Sequence, residues 1–298
     1  VWPLLDWRIW RKNYLNGYDR LNLVSPDSPM TFSSLIIVLF SACLHVIAHV
    51  VLKSSLNRMA AVWWVLVWGS VLLFPIALFN PLSLSWPLWG LLLASGFFQF
   101  AYFYSIARAY QTGDLSVVYP LARGTAPVFL LIWAVLFIGE RPTGGGITGV
   151  LIIAVGVYLL GLPKLSAWLE PLRSLSRSGP RWAVIAGLFI SSYSAVDRIG
   201  VRLASPLPYL FIVNCVAVAL LTPFMLRSAG WGGLRAEIQA ARFNSVIAGF
   251  TTPAAYLTVL YVIRNGAPAS YVGAIREISV VLGVLLGVLF FKEPGSLI

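Results

Sequence analysis

The sequence predicts an all-α fold, a polytopic membrane helix bundle made of two inverted five-helix repeats. The first observation behind this prediction is composition: 59% of the residues are hydrophobic and 10% are charged, whereas soluble domains carry about 25% charged residues. The second is the stretch between Arg58 and Arg108, which contains no charged residue or histidine and is long enough for two spans of about 20 residues. The third is an internal duplication.

The duplication relates residues 115–142 to residues 269–294, two long apolar segments that each carry an arginine in their first half. Three landmarks recur with one offset of 153 positions (276 − 123): Gly113, Arg123 and Glu140 match Gly266, Arg276 and Glu293. A constant offset over this distance is the signature of an internal repeat. Because each repeat has an odd number of spans, the two halves cross the membrane in opposite directions.

Nine apolar runs follow one another, separated by turn-forming Gly, Pro, Asn and Ser residues. We predict spans at 32–52, 60–79, 87–108, 115–138, 145–162, 182–203, 206–226, 243–263 and 269–291. The fifth span has no counterpart in the second half, and adding 153 to it places the missing partner at about 298–315. We therefore expect ten spans in the fold, with nine present in this chain.

These spans define a first repeat at 31–162, a connection at 163–181 and a second repeat at 182–298. Residues 1–30 form a polar, aromatic and basic N-terminal tail without a span-length apolar run. Two interpretations of the tail stay open. It is either a segment that rests at the lipid headgroups, or sequence upstream of a native start at Met30.

The net charge of +11 does not indicate nucleic-acid binding. The basic residues stand singly or in pairs between apolar runs, as they do where membrane flanks face anionic lipid. Nucleic acid would require a basic face on a soluble module, and we expect no such partner. Cys43 and Cys215 both lie inside apolar spans, which argues against a disulfide framework.

The charges inside predicted spans are the candidate functional residues, because an ionisable group costs about 2.5–3.5 kcal/mol at the centre of a membrane helix. Arg123 and Arg276 occupy matching positions of inverted repeats, and two converging guanidinium groups would bind a carboxylate or phosphate. Glu277 and Asp197 would neutralise them in the unloaded state or take up a proton. The alternative is a buried ion-pair network that only sets helix register.

Other polar side chains fall on the same helix faces. Tyr119 aligns with the arginine of its span and Tyr193 with the aspartate of its span. Tyr104 and Tyr256 either line a cavity or anchor span ends at the interface. His45 and His49 are four residues apart on one face, where they form a proton relay or plain interhelical hydrogen bonds. These four tyrosines complete the predicted substrate-binding set, and the two histidines complete the proton-coupling set.

No motif predicts catalysis. The sequence has no zinc-type spacing, no Gly-Lys-Ser/Thr after the run Gly144–Gly146 and no Gly-x-Ser-x-Gly elbow. A membrane enzyme acting on lipids would need histidines and carboxylates clustered near span ends, and the only two histidines share one span. We expect no enzyme activity, no metal and no cofactor.

The segments GDLSVVYPLARGTAPVFLLIWAVLFIGERP and GVLIIAVGVYLLG resemble the EamA domain of the drug/metabolite transporter superfamily. LFSACLHVIAHVVLK and SYSAVDRIGVR resemble the openings of its two repeats. The resemblance implies ten helices with both termini cytoplasmic and a central cavity for small metabolites, amino acids or drug-like solutes. Lysines and arginines cluster instead after the first, fifth and seventh spans, which places the N-terminus outside by the positive-inside rule. Absolute orientation therefore stays open.

The function predicted is secondary active transport by alternating access, as permease or exporter, of a small polar solute. The expected partners are this solute, the lipid bilayer and protons as a coupling ion, in a monomer or homodimer of a bacterial inner membrane. The alternative function is that of a non-transporting membrane scaffold or sensor subunit.

Overall fold

The computed structural model describes residues 30–52, 56–80, 85–113, 115–160 and 173–283, with single positions 82, 162, 166, 168 and 169. Every regular element in these ranges is helical. The fold is therefore the all-α bundle that the sequence predicts. The tail at 1–29 and the segment at 284–298 lie outside the described residues.

The first half contributes five helices: α1 (Phe32–Leu52), α2 (Arg58–Leu78), α3 (Trp86–Thr112), α4 (Leu115–Trp133) and α5 (Gly144–Leu160). A π-helical turn at Ala134–Ile138 prolongs α4. The helix starts carry the expected signals, because Asn57 caps α2 through its side chain and Pro87 stands in the first turn of α3.

The second half contributes α6 (Ser178–Leu203), α7 (Pro206–Ser228), α8 (Gly230–Ala240), α9 (Arg242–Arg264) and α10 (Ala269–Arg276). Helical residues continue from 278 to 283 after a turn at Glu277. Eight of the nine predicted spans thus match helices within a few residues at each end. The ninth agrees as far as residue 283, and its remainder lies outside the described part of the chain.

The helix α8 is not among the predicted spans, because residues 227–242 fall between the seventh and the eighth of them. It is short and amphipathic, and it begins at Gly230 with a φ of 64°. Leu234 and Glu237 face inward, and the Leu234 carbonyl accepts a hydrogen bond from Trp64 Nε1 at 2.9 Å. An eleven-residue helix lying against α2 has no span-length apolar run to reveal it.

Contacts between the two halves occur in matching pairs: when a helix of the first repeat packs on a helix of the second, their counterparts also pack on each other. α3 packs along α6, and its repeat partner α9 packs along α1. In the same way α4 packs on α6 while α10 packs on α1, and α3 packs on α7 while α9 packs on α2. This pairing is what an approximate two-fold axis between inverted repeats produces.

The exterior of the bundle is apolar and the centre is polar. Within the described residues, six helical segments are long and apolar enough to cross a membrane, and α1 and α5 are shorter apolar helices. Large side chains such as Phe97, Ile152 and Phe250 are exposed. Buried charged residues lie within α4 and α6 and at the end of α10. The chain is an integral, multi-pass membrane protein.

Candidate functional site

The arginine predicted for the middle of α4 forms a buried salt bridge with the turn after α10. Arg123 Nε lies 2.9 Å from Glu277 Oε2, and both side chains are about 95% buried. Arg123 Nη2 also donates to Ser279 Oγ at 3.4 Å. The contact joins the two repeats directly, and the charge of Arg123 is compensated where it stands.

The second arginine has a different environment. Arg276 ends α10 and is 9% exposed, and its Cζ lies 5.1 Å from the centre of the Tyr256 ring. Within the described residues it makes no salt bridge, and its buried Nε has no acceptor. The guanidinium therefore faces the Tyr256 ring, with Tyr193 and Glu277 also within interaction distance.

Tyrosines surround both arginines. The Tyr193 ring lies 5.7 Å from Tyr256 in an edge-to-face arrangement and 6.1 Å from Tyr102. Tyr119, one turn before the α4 arginine, lies within electrostatic reach of Arg123. We call the two arginines, Glu277, Ser279 and these four tyrosines the arginine cluster.

Asp197 is buried beside this cluster and is bound by hydroxyl groups. Its Oδ1 accepts hydrogen bonds from Ser95 and, at 2.8 Å, from Tyr209. Its Oδ2 accepts one from Tyr256 at 2.5 Å. A methyl group at Gly200 would collide with the Tyr209 ring, so the glycine makes room for the second donor. Tyr256 thus touches the carboxylate with its hydroxyl and Arg276 with its ring.

The structure brings together most of the predicted site residues, but not all. Arg123, Arg276, Glu277, Tyr119, Tyr193 and Tyr256 belong to the cluster, and Asp197 adjoins it. Tyr104 lies elsewhere: its ring packs among Phe100, Trp182 and Phe224, with centroids 5.1–6.1 Å apart. His45 is half-buried in α1. The side chain of His49 lies outside the described residues.

Several participants were not predicted, namely Ser95, Tyr102, Tyr209 and Ser279. A weak signal exists for the first two, because Ser95, Gln99 and Tyr102 share one face of α3 at helical spacing. Each of these residues is neutral and common in membrane helices, so its role emerges only when the partner helix is placed beside it.

The chemistry that this arrangement supports is binding of an anion. Two guanidinium groups and one carboxylate make up the charged part of the cluster, and the buried Nε of Arg276 has no hydrogen-bond acceptor among the described residues. Arginine forms paired hydrogen bonds to carboxylate or phosphate. No group of three or more potential metal-ligating side chains occurs among the described residues. Cys43 and Cys215 are free thiols.

Comparisons with known proteins agree with the two-repeat architecture. The sequence model of the EamA-like transporter family matches residues 29–162 and again 177–298. A solved crystal structure superposes with a TM-score of 0.68 at 16% identity, covering 88% of this chain and 89% of that chain. At this identity the likeness concerns the fold. A search of curated protein sequences finds no significant match.

Glu277→Gln should destabilise the protein strongly, because it leaves Arg123 as an uncompensated buried charge. Breaking a buried ion pair costs about 3–5 kcal/mol. Asp197→Asn is the matched control, since this carboxylate is bound by hydroxyl groups that can reorient, and its cost should be smaller. The measurement is the melting temperature in detergent.

The double variant Arg123→Met/Glu277→Gln should recover part of the stability that Glu277→Gln loses, because it no longer buries an unpaired charge. A double variant as unstable as the sum of both single variants would show that the pair does not act as a unit.

Proposed function

The chain belongs to the EamA-like transporter family, and from this premise we propose that it is a secondary active transporter working by alternating access. In this proposal the solute binds at the arginine cluster, between the two repeats. Binding near the membrane midplane at a repeat interface is the common arrangement in transporters built from inverted repeats.

The observation that carries the proposal is the environment of Arg276. An arginine 9% exposed inside an apolar bundle, without a salt bridge among the described residues, is costly to bury unless an anion compensates it. Its partner Arg123 already has Glu277 at 2.9 Å. The Nε of Arg276 has no acceptor among the described residues, so the carboxylate or phosphate of a solute would compensate this guanidinium.

The solute class follows from what surrounds that guanidinium. We propose a small polar metabolite, anionic or zwitterionic, whose carboxylate or phosphate meets Arg276. Tyr102, Tyr193 and Tyr256 offer ring faces and hydroxyl groups, which suit amino acids and drug-like organic acids. Tyrosine combines an apolar body with a polar tip, so such a wall tolerates both parts of a mixed solute.

We propose protons as the coupling ion, with Glu277 and Asp197 as the candidate carriers and His45 and His49 as further candidates. Glu277 forms a salt bridge with Arg123. Asp197 is bound by three hydroxyl groups and shares Tyr256 with Arg276. This shared contact supports Asp197 as the first carrier to examine.

We place the protein in a bacterial inner membrane, as a monomer or homodimer. The long apolar helices with exposed aromatic and aliphatic side chains support a helical bundle in lipid. A second candidate function is a non-transporting scaffold or sensor subunit. It is favoured by the near-complete burial of both described ion pairs, because in such a subunit the pairs would serve only to fix the register between packed helices.

A thermal-shift screen of the detergent-solubilised protein tests the proposed solute class. The panel contains amino acids, mono- and dicarboxylates and phosphorylated metabolites. A solute at 100 times its dissociation constant should add about 2.7 kcal/mol of stability, and Arg276→Ala should remove the shift because it deletes the guanidinium proposed to meet the acidic group.

Arg108→Ala is the matched control for that screen, since it removes an exposed arginine outside the cluster and should leave the shift unchanged. A solute whose shift survives Arg276→Ala would show that binding occurs elsewhere. The absence of any hit across the panel would favour the scaffold function.

The pH dependence of uptake into proteoliposomes tests the coupling proposal. Asp197→Asn cannot take up a proton, so its uptake of the solute found in the screen should lose the pH dependence of the wild type. Glu277→Gln is run beside it, because the two variants separate the two candidate carriers. Unaltered pH dependence in both would exclude them.

A further inference from the structure

We propose that Glu140, together with the first turn of α10, forms a latch that closes the arginine cluster from the membrane face on which α1 begins. The latch consists of Glu140 and Thr143 from the first repeat and Arg198, Ala269, Ser270 and Tyr271 from the second. The proposal rests on the proposed function only in taking the cluster as the site to which access is controlled.

Both carboxylate oxygens of Glu140 are engaged at the start of α10. Oε1 accepts a hydrogen bond from Ala269 N at 2.6 Å, and Oε2 accepts one from Ser270 Oγ at 2.6 Å and one from Ser270 N at 3.3 Å. A negative charge at a helix N-terminus compensates its unpaired N–H groups and its dipole. The glutamate is 4% exposed, so these bonds are shielded from water.

Arg198 connects the latch to two further helices. Its Nε lies 3.8 Å from Glu140 Oε1, and its Nη1 donates to the Ile263 carbonyl at the end of α9. Arg264 of α9 donates in return to the Val201 carbonyl of α6 at 3.1 Å. The ends of α6 and α9 are thereby held together beside the start of α10.

A second contact joins the segment between α4 and α5 to α10. The Thr143 N–H donates to the Tyr271 hydroxyl at 3.0 Å, just before α5 begins. A methyl group at Gly146 would occupy the position of that hydroxyl, so the glycine is what lets α5 approach Tyr271. Both contacts tie the segment between α4 and α5 to the other repeat.

The position of the latch relative to the cluster supports a gating role. From Ala269 to Arg276, α10 advances by about 10 Å at 1.5 Å per residue. The first two turns of α10 therefore separate this membrane face from the guanidinium. Movement of one repeat against the other must shift α10 relative to α4, and the Glu140 bonds lie across that boundary.

The backbone before Glu140 departs from a regular α-helix. The π-helical turn at Ala134–Ile138 ends at Gly139, whose φ is 79°, a region that favours glycine. Residues 139–143 are not helical. Single π-helical turns are frequent at functional sites. The latch is held by polar bonds, which water can replace when the segment swings away.

Cysteine accessibility tests the latch without any solute. The reporter is Ser279→Cys, whose parent side chain is 3% exposed beside Arg123, in a background with Cys43→Ser and Cys215→Ala. The probe is the anionic thiol reagent methanethiosulfonate ethylsulfonate, applied to the full chain in detergent. Glu140→Gln should raise the labelling rate about tenfold, the factor that corresponds to about 1.4 kcal/mol, because charge-assisted hydrogen bonds are lost.

Glu237→Gln is the matched control. Glu237 is also a buried glutamate that contacts a helix N-terminus, because its Oε2 accepts a hydrogen bond at 2.7 Å from the N–H of Asn57, the residue that caps α2. It lies near the other membrane face, away from the latch. Its labelling rate should equal that of the parent. An unchanged rate in folded Glu140→Gln protein, or an equal rise in both variants, would overturn the proposal.

Ser270→Ala keeps the test decisive if Glu140→Gln fails to fold. It removes only the hydroxyl donor to Oε2, and it should raise the labelling rate by a smaller factor than Glu140→Gln does. A rate equal to the parent would overturn the latch. Because labelling needs no solute, a failed solute screen and a failed latch are separate results.

Discussion

The structure depends above all on how the charges inside an apolar bundle are compensated. Arg123 and Glu277 meet at 2.9 Å across the boundary between the repeats, and Arg198 and Glu140 meet across the same boundary near one membrane face. Each charge would be costly alone at these depths, so the two pairs determine how α4 and α6 can lie against α10. Among the described residues Arg276 has no salt-bridge partner, and this is the basis of the proposed solute site.

The buried charge of Asp197 is compensated by hydroxyl groups instead of a cation. Asp197 receives three hydroxyl donors from α3, α7 and α9, so the second repeat is held to the first through neutral partners as well. Tyr256 then relates this carboxylate to Arg276. A proton on Asp197 and an anion on Arg276 would each alter the contacts of one ring. Protonation of Asp197 and anion binding at Arg276 can therefore be coupled through Tyr256. In the proposal made above, the latch controls access to the cluster from one membrane face.

The apolar runs were sufficient to predict the long helices of the described residues, because a membrane span must be long and continuously apolar. The constant offset also predicted that Arg123 and Arg276 occupy matching positions in the two repeats and converge on one site. Hydrogen bonds between helices could not be predicted in this way. Ser95 and Tyr209 carry no sequence signal, and their role is visible only because α6 places Asp197 beside them. The role of Glu140 was hidden for the same reason, since its partners lie 129 and 130 positions away. The helix α8 escaped detection because it is short and amphipathic.

The measurement that tests the central claim most directly is a structure of the protein with a solute that stabilises it. The account predicts density for the acidic group of the solute against the guanidinium of Arg276, with the Arg123–Glu277 salt bridge intact and the tyrosine rings lining the remainder. Density at another place, or a salt bridge between Glu277 and Arg276 in the solute-bound protein, would contradict the claim that this arginine binds the acidic group of the solute.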